Sequence, residues 1–431
     1  MHSVHSAIRS GGRATTHSLV PLAFVSALAA YGSLYPFRFV DPASFERALY
    51  AMFKEASWWT SRGDVAGNVL LFVPMGITIV AAMGMAKLAF LRLAFHFLCA
   101  ILFALALQVL QIYFPPRSAA LSDVIWNATG TAIGIAVGYF IRAHLAKWSA
   151  RGDRLVHLTI LVIALWVGWR LWPFVPTIDS QNMKDAIKPL LVWPPLNVWS
   201  FAAAASGVAL LAGVMPAFRH PKTILVAIAL ASLCVRPVLL GQVITIGLVA
   251  GTLLGALAGL AVVRIGIARA GPYLIAAIIL WSSLDAIRPF EFSDQIGAMH
   301  WIPFAALLQG AMDINLASLC GAAFVTGALT LVGARLGFAR GPWCTVLTIW
   351  VVTLEIMQLW IPARSADITI GLFPLGWWWA VRFAERNERV QESARPAVQI
   401  PGPLHHCEST RWRSRSAIRL PSLPRVPSLK E

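Results

Sequence analysis

Apolar runs of about 20 residues recur along most of this chain, and they restrict its possible folds more than any other feature. An α-helix rises 1.5 Å per residue, so about 20 apolar residues cross the ~30 Å hydrocarbon core of a bilayer. The runs are continuous rather than alternating, which argues against a membrane β-barrel. Hydrophobic residues make up 58% of the 431 residues and charged residues 13%, which excludes an ordinary soluble domain. We therefore predict an all-α polytopic membrane protein.

Twelve segments are apolar enough to be predicted as membrane-spanning helices, although the last is short and contains a proline. They cover approximately residues 18–36, 66–86, 92–114, 122–141, 155–173, 196–217, 222–240, 243–263, 271–288, 313–334, 342–361 and 367–381. The connections after even-numbered segments carry Lys and Arg with almost no acids, and the other connections hold most of the acids. Basic loops favour the cytoplasm, so we predict both termini on the cytoplasmic side.

Three features recur in the same order and predict an internal repeat. Each copy has Pro-Phe after a span, then an Asn near the next span, then an Arg in a later loop. These are residues 36–37, 173–174 and 289–290, then Asn68, Asn197 and Asn315, then Arg117, Arg236 and Arg364. Four spans per copy predict three parallel four-helix repeats. The predicted divisions are a basic N-terminal segment (1–17), repeats at 18–150, 151–268 and 269–385, and a disordered basic cytoplasmic tail (386–431).

The first copy resembles the VanZ-like membrane proteins. The resemblance rests on NVLLFVPMG at 68–76 and QVLQIYFPPRSAALSDVIWNATGTAIG at 108–134, and EIMQLWIPARSAD at 355–367 is similar to the same unit. Two departures stand out: Gln108 replaces a frequent Glu, and the two Asp positions are divided between Asp123 and Asp367. The middle copy has lost nearly all of the polar set. The resemblance implies a bacterial inner-membrane protein linked to glycopeptide-antibiotic resistance or envelope polysaccharide, without a settled mechanism.

The polar residues of the first and third copies form the candidate substrate-binding set. They are Asn68, Gln108, Gln111, Arg117, Asp123 and Asn127 in the first copy, and Glu355, Gln358, Arg364 and Asp367 in the third. Polar side chains inside a bilayer are costly unless they face protein or water, so they are functional candidates. A guanidinium group can bind a lipid phosphate or a carboxylate in a two-pronged arrangement. The set could therefore converge on a head-group pocket at the outer leaflet.

A structural role explains many of the same residues. Ser122 with Asp123 resembles a helix cap and first-turn acid, and Asn68 and Asn315 could cap the starts of spans. The glutamines could join helices, and Arg117 could pair with Asp123. Glycines 130, 134 and 138 have the spacing typical of close helix packing.

Three functions remain open at this stage. The first is an envelope protein that binds lipid-linked or cell-surface material, with outer-leaflet lipids, anionic or polyprenyl-linked, as partners. The second is a transporter or flippase, and the third is a membrane enzyme acting on a polyprenyl-phosphate or glycolipid. We favour the first. His300 is the one plausible acid–base histidine. We expect no metal, cofactor or nucleic acid, because the cysteines lack metal spacing and the +16 charge fits cytoplasmic loops and tail.

Overall fold

The protein is helical throughout most of the chain that the structure describes. The computed structural model describes residues 19–54, 62–83, 89–115, 119–148, 153, 155–192, 195–305, 312–362 and 364–394. Its helices there are α1 (Leu19–Leu34), α2 (Phe45–Lys54), α3 (Arg62–Ala82), α4 (Ala89–Gln111), α5 (Leu121–Trp148), α6 (Val156–Leu171), α7 (Ser180–Val192), α8 (Val198–Val214), α9 (Pro221–Cys234), α10 (Ile246–Ile265), α11 (Ile267–Ala286), α12 (Met312–Arg335), α13 (Arg340–Gln358) and α14 (Ile368–Ala394). Two short strands, β1 (Met299–His300) and β2 (Ala366–Asp367), pair in parallel. The all-α prediction is confirmed.

Every predicted membrane segment contains a helix. Within the described ranges, six helices have the length and apolar composition needed to cross a bilayer: Phe90–Gln111, Leu121–His144, Val198–Ala217, Ile246–Ile265, Ile267–Ala286 and Asn315–Arg335. Four shorter apolar helices are Leu19–Leu34, Gly67–Ala82, Val156–Leu171 and Pro221–Cys234. The helices α13 and α14 cover the two remaining predicted segments. By its helix composition, the chain is a multi-pass membrane protein.

Several helix limits differ from the prediction. The helices α2 and α7 occupy connections between predicted spans, and both are too short and too polar to be found by their apolar content. The helix α14 continues to Ala394, past the predicted start of the tail at residue 386. Its last residues are mainly Glu, Arg, Gln and Ala, which favour helix. The rest of the predicted tail, residues 395–431, and the predicted N-terminal segment lie outside the described residues.

The three Pro-Phe sites have the same turn geometry. In each, the main-chain N–H of the Phe donates to the carbonyl three residues earlier: Phe37 to Leu34 (3.0 Å), Phe174 to Leu171 (3.2 Å) and Phe290 to Ile287 (3.0 Å). Each Phe has a positive φ, between 57° and 69°, and each preceding X-Pro bond is cis. The turns follow directly after α1, α6 and α11.

Glycines allow two helix pairs to approach closely. A Cβ added at Gly134 of α5 would lie 2.1 Å from the carbonyl oxygen of Val73 in α3. One added at Gly76 of α3 would lie 2.1 Å from the carbonyl of Thr131. The same arrangement joins α10 to α8, where a Cβ at Gly251 would lie 2.2 Å from the Phe201 carbonyl. The predicted packing role of the α5 glycines is confirmed.

We call residues 18–150, 151–268 and 269–385 the first, middle and third segments. Buried side chains of α3 and α4, including Phe72 and Ala104, form a core within the first segment. A larger core joins the other two segments, with members such as Trp166, Leu211 and Leu329. The middle and third segments therefore pack as one body, and the cavity described below lies between their helices.

Candidate functional site

A cavity of about 520 Å³ opens among α6, α8, α11, α12 and α13. Its polar and charged lining includes three carboxylates, a guanidinium group and two amides: Asp285, Glu355, Asp367, Arg364, Asn315 and Gln358. All of these belong to the third segment, whereas the middle segment contributes wall residues such as Trp169 and Gly207. The structure therefore brings together all four candidate residues of the third copy, Glu355, Gln358, Arg364 and Asp367.

Glu355 and Asp367 are buried in the wall of this cavity. Their residues are 3% and 7% exposed. The Glu355 carboxylate accepts a 2.8 Å hydrogen bond from the main-chain N–H of Asp367. The Asp367 carboxylate in turn accepts from the Thr369 main-chain N–H at 2.8 Å, and from the Thr369 hydroxyl. Asp367 therefore caps the first turn of α14.

Arg364 joins the end of α11 to the loop before β2. Its Nε donates to the Arg288 carbonyl at 3.1 Å, and Nη2 donates to the Asp285 carbonyl at 2.6 Å. Carbonyls at a helix C-terminus lack partners within the helix and carry the negative end of its dipole, so a guanidinium group satisfies both needs. The third nitrogen, Nη1, takes no part in these two bonds.

A short segment, residues 297–305, contributes Phe304 to the cavity wall; we call it the strap. Its strand β1 pairs with β2, so His300 lies opposite Asp367 along the ladder. The strap is held by a 2.7 Å bond from the Gly297 N–H to the Leu359 carbonyl, and by a 2.6 Å bond from the Phe304 N–H to the Thr369 hydroxyl. The Tyr31 hydroxyl of α1 donates to the Pro303 carbonyl at 2.7 Å, so the first segment also contacts the strap.

Indole rings form much of the remaining wall. Trp169, Trp281 and Trp350 line the cavity together with Phe304 and Phe324. The indole N–H of Trp350 donates to the Ser283 hydroxyl at 2.9 Å, which fixes the ring position. Trp281 is tilted against Trp199 with ring centroids 5.4 Å apart, and the Arg288 guanidinium lies 5.1 Å from the Trp199 ring.

The candidate residues of the first copy that the structure describes do not line this cavity. Gln108 is 2% exposed, and its Oε1 accepts from the Ala120 N–H at 3.0 Å. Gln111 donates to the Ser33 carbonyl at 2.9 Å. Asn127 is buried on α5, and Asp123 lies in the first turn of the same helix, as predicted. Arg117 lies outside the described residues, so its predicted pairing with Asp123 stays a prediction.

Three of the predicted helix caps are wrong. Asn68 lies inside α3, which begins at Arg62, and Asn315 lies inside α12, which begins at Met312. Neither can cap a helix that begins several residues before it. Asn197, by contrast, does cap α8, because its side-chain oxygen accepts from the Ser200 N–H at 3.0 Å. Ser122 also lies within its helix, α5, rather than at the cap.

The middle segment has a related but simpler arrangement. Arg236 is 7% exposed and donates through Nη2 to the Arg170 carbonyl, at 2.6 Å, near the end of α6. Its Nη1 donates to Gln242 at 2.6 Å, and Gln242 donates to the Trp172 carbonyl. Arg236 and Arg364 thus both bind carbonyls at the end of a helix that precedes a Pro-Phe turn.

Sequence reasoning missed Asp285 and the three indole groups of the wall. Trp281 and Asp285 are four residues apart on α11, directly before the third Pro-Phe turn, and that spacing could have indicated a shared face. Trp169 could not have been assigned, because it reaches the cavity from another segment. His300 does not line the cavity. Among the described residues, no three His, Cys, Asp or Glu side chains are grouped so as to hold a metal.

The comparisons with known proteins agree with the resemblance of the first copy. The model of the VanZ/LLP1 family matches residues 3–142, a range that includes α1 to α4 and most of α5. No curated protein matches the chain, and no solved structure matches it either. This multi-pass membrane protein therefore carries one VanZ/LLP1 domain, at residues 3–142.

Proposed function

We propose that this is an envelope protein of the bacterial inner membrane that binds the polar head of lipid-linked or cell-surface glycolipid material. The binding site is the cavity of the third segment, at the outer leaflet. The observation that carries this proposal is the 520 Å³ cavity with both indole and charged walls. Ligand pockets typically measure about 300–1,000 Å³ and combine apolar walls with a few converging polar groups.

The proposal includes three parallel repeats of four spans, with both termini in the cytoplasm. It is supported by the shared geometry of the Pro-Phe turns and by a hydrogen bond common to the first and third segments. In both, a side-chain oxygen accepts a hydrogen bond from the main-chain N–H twelve residues later: Gln108 accepts from Ala120, and Glu355 accepts from Asp367. The basic connections support the orientation, because basic loops favour the cytoplasmic side. The Pro-Phe turns, at the opposite ends of the spans, are then at the outer face.

Binding fits the geometry better than catalysis does. An acid–base pair would need carboxylates available to exchange protons with a substrate. Glu355 and Asp367 instead accept main-chain N–H groups, and these bonds hold the start of α14. The transporter alternative has no comparably specific contact in its favour. We also propose a role in glycopeptide resistance or envelope polysaccharide, which the resemblance of the first copy to VanZ-like proteins supports.

A cavity-filling variant tests the proposal. Ser318 lines the cavity from α12, so a Ser318→Phe side chain would occupy part of its volume. Thr345→Phe adds the same ring at an exposed position of α13 away from the cavity and is the matched control. We expect one lipid class to copurify with the wild type and with Thr345→Phe in mild detergent, and to be lost from Ser318→Phe. Mass spectrometry of the extracted lipids is the measurement.

Identical lipid profiles for the three proteins would contradict the proposal. If Ser318→Phe does not fold, Ser282→Phe fills the same cavity from α11 and takes its place. A melting curve in detergent separates loss of the lipid from loss of the fold.

A further inference from the structure

We infer that the cavity selects a positively charged, amine-bearing head group over an anionic one. This inference rests on the proposed function, because it specifies the ligand class of the same site. An aminosugar or an ethanolamine-type head has the required chemistry, with one ammonium group beside hydroxyl groups or an acyl chain. The sequence argument had favoured an anionic or polyprenyl-phosphate lipid, on the basis of the arginines.

The charges that line the cavity are acidic on balance. Asp285, Glu355 and Asp367 contribute three carboxylates, and Arg364 contributes one guanidinium group. Glu355 in the last turn of α13 and Asp367 at the start of α14 are both buried, where water screens any charge that they carry only a little. An anionic head placed between them would be repelled, whereas an ammonium group would be attracted.

The Arg364 guanidinium group already holds two main-chain carbonyls of the protein. Two of its nitrogens donate to the carbonyls of Asp285 and Arg288, at the negative end of α11. A phosphate that took over this guanidinium group would leave those two carbonyls without these donors. The arginine is therefore better suited to hold the wall in place than to bind an anion.

Asp285 is the carboxylate nearest to solvent. Its side chain is 44% exposed and lies 4.0 Å from the Arg288 guanidinium, so the pair is weak. Arg288 is also directed over the Trp199 ring, at 5.1 Å. Arg288 does not line the cavity, whose own charged groups are three carboxyl groups and one guanidinium group.

The indole groups favour the same ligand class. Trp281 and Trp350 line a cavity that also contains carboxylates, whereas the Trp169 ring, in the same wall, already has the Arg170 guanidinium group 5.2 Å from its centroid. Indole faces attract cations through their negative quadrupole, and aromatic walls beside acidic groups are suited to ammonium ligands. Indole faces also pack against sugar rings and acyl chains, which suits the rest of a glycolipid head.

The test compares three amphiphiles that share a decyl chain and differ in head charge: decyltrimethylammonium, decyl glucoside and decyl phosphate. Full-length protein in dodecyl maltoside is titrated with each, and bound molecules are counted by native mass spectrometry. We expect the ammonium amphiphile to bind about tenfold more tightly than the glucoside, with the phosphate weakest. The Glu355→Gln, Asp367→Asn double variant should lose most of this preference, and Asp294→Asn, which makes the same change outside the cavity, should keep it.

Tightest binding of decyl phosphate, or equal binding of the three heads, would overturn the inference. If Ser318→Phe still abolished that binding, the proposed cavity would remain a binding site with another preference. If Ser318→Phe changed none of the three affinities, the proposed function itself would be overturned. If the double variant does not fold, Asp285→Asn takes its place, because the Asp285 carboxylate takes no part in the hydrogen bonds at the start of α14. Asp285→Asn should also reduce the preference for the ammonium head.

Discussion

The Glu355 carboxylate and the main-chain N–H of Asp367 form a 2.8 Å hydrogen bond that joins α13 to the start of α14. In the first segment, the Gln108 amide oxygen accepts the Ala120 N–H at 3.0 Å and joins α4 to the residues before α5. A carboxylate and an amide thus perform the same structural task at equivalent places. What differs between them is the charge.

This relationship predicts that amide and alanine variants of Glu355 behave differently. Glu355→Gln keeps an oxygen for the buried Asp367 N–H, so it should change the free energy of unfolding by less than about 1 kcal/mol. Glu355→Ala leaves that donor without its acceptor and should cost about 1–3 kcal/mol. Melting temperatures in the same neutral detergent would show the difference. Equal losses for the two variants would contradict a role in hydrogen bonding.

Arg364 should not be replaceable by lysine. Its planar fork donates to the Arg288 and Asp285 carbonyls together, and a lysine ammonium group cannot reproduce both directions. Arg364→Lys should therefore cost about 1.5–3 kcal/mol of stability, close to the loss in Arg364→Ala. Arg269→Lys, at an exposed position of α11, is the matched control and should have no effect. A fully stable Arg364→Lys protein would show that only the positive charge matters.

Gly134 should tolerate no side chain. The Cβ of Gly134→Ala would lie 2.1 Å from the Val73 carbonyl oxygen, so α3 and α5 would have to separate. Overpacking of this kind costs about 1–3 kcal/mol. Gly376→Ala adds the same methyl group on α14, where no atom lies within 4 Å, and should leave the melting temperature unchanged. Similar melting temperatures for both variants would argue against the tight α3–α5 contact.

The ion pair between Asp153 and Arg335 should contribute to the union of the middle and third segments. The atoms are 2.8 Å apart, and the side chains are only 11% and 12% exposed. Asp153→Ala would leave a mostly buried guanidinium group without this partner, which should cost about 3 kcal/mol or more. Replacing both residues by apolar ones, as in Asp153→Leu with Arg335→Met, should restore much of that stability. A double variant less stable than Asp153→Ala would refute this account.

The proposed orientation predicts the outcome of reporter fusions. Arg264 and Arg269 flank the connection at Gly266, so an alkaline phosphatase joined after Gly266 should stay in the cytoplasm and be inactive. The same enzyme joined after Ser293, in the acidic connection that follows, should be exported and active. Fusions of green fluorescent protein at the two sites should give the opposite pattern. The reverse result at both sites would contradict the proposed orientation and show that the chain crosses the membrane in the opposite sense.

The fold could be predicted from the sequence where one physical requirement dominates. About 20 apolar residues can be satisfied in a bilayer only as a helix, so each predicted segment proved helical. Glycine spacing on α5 predicted close packing for a similar reason. The ends of the helices were harder to predict from the sequence. The helix α3 begins at Arg62, among polar residues, so Asn68 lies inside the helix instead of at its start. The helices α2 and α7 were missed since neither has a long apolar run.

The site was predicted only in part. Fixed offsets around Arg364 identified Glu355, Gln358 and Asp367, and all of them line one cavity. The partners of these residues are main-chain groups, such as the Asp285 and Arg288 carbonyls. Every residue has a main-chain carbonyl, so the sequence cannot indicate which one is bound. The wall from Trp169 depends on the packing of α6 against α12, a contact between distant parts of the chain. The residues around Arg364 alone therefore cannot predict that Trp169 forms part of the wall.

The strap and the α6 part of the cavity wall determine whether a fragment of the chain could form the cavity. The third segment carries every charged group of the cavity, yet Trp169 and Gly207 come from the middle segment. Tyr31 of the first segment holds the strap through the Pro303 carbonyl. A fragment of residues 269–385 would keep the charged side chains of the cavity. It would lose the wall residues Trp169 and Gly207, and the Tyr31 hydrogen bond to the strap. The charged groups and the enclosing wall of the cavity therefore come from different parts of the chain, and a truncated protein would not retain both.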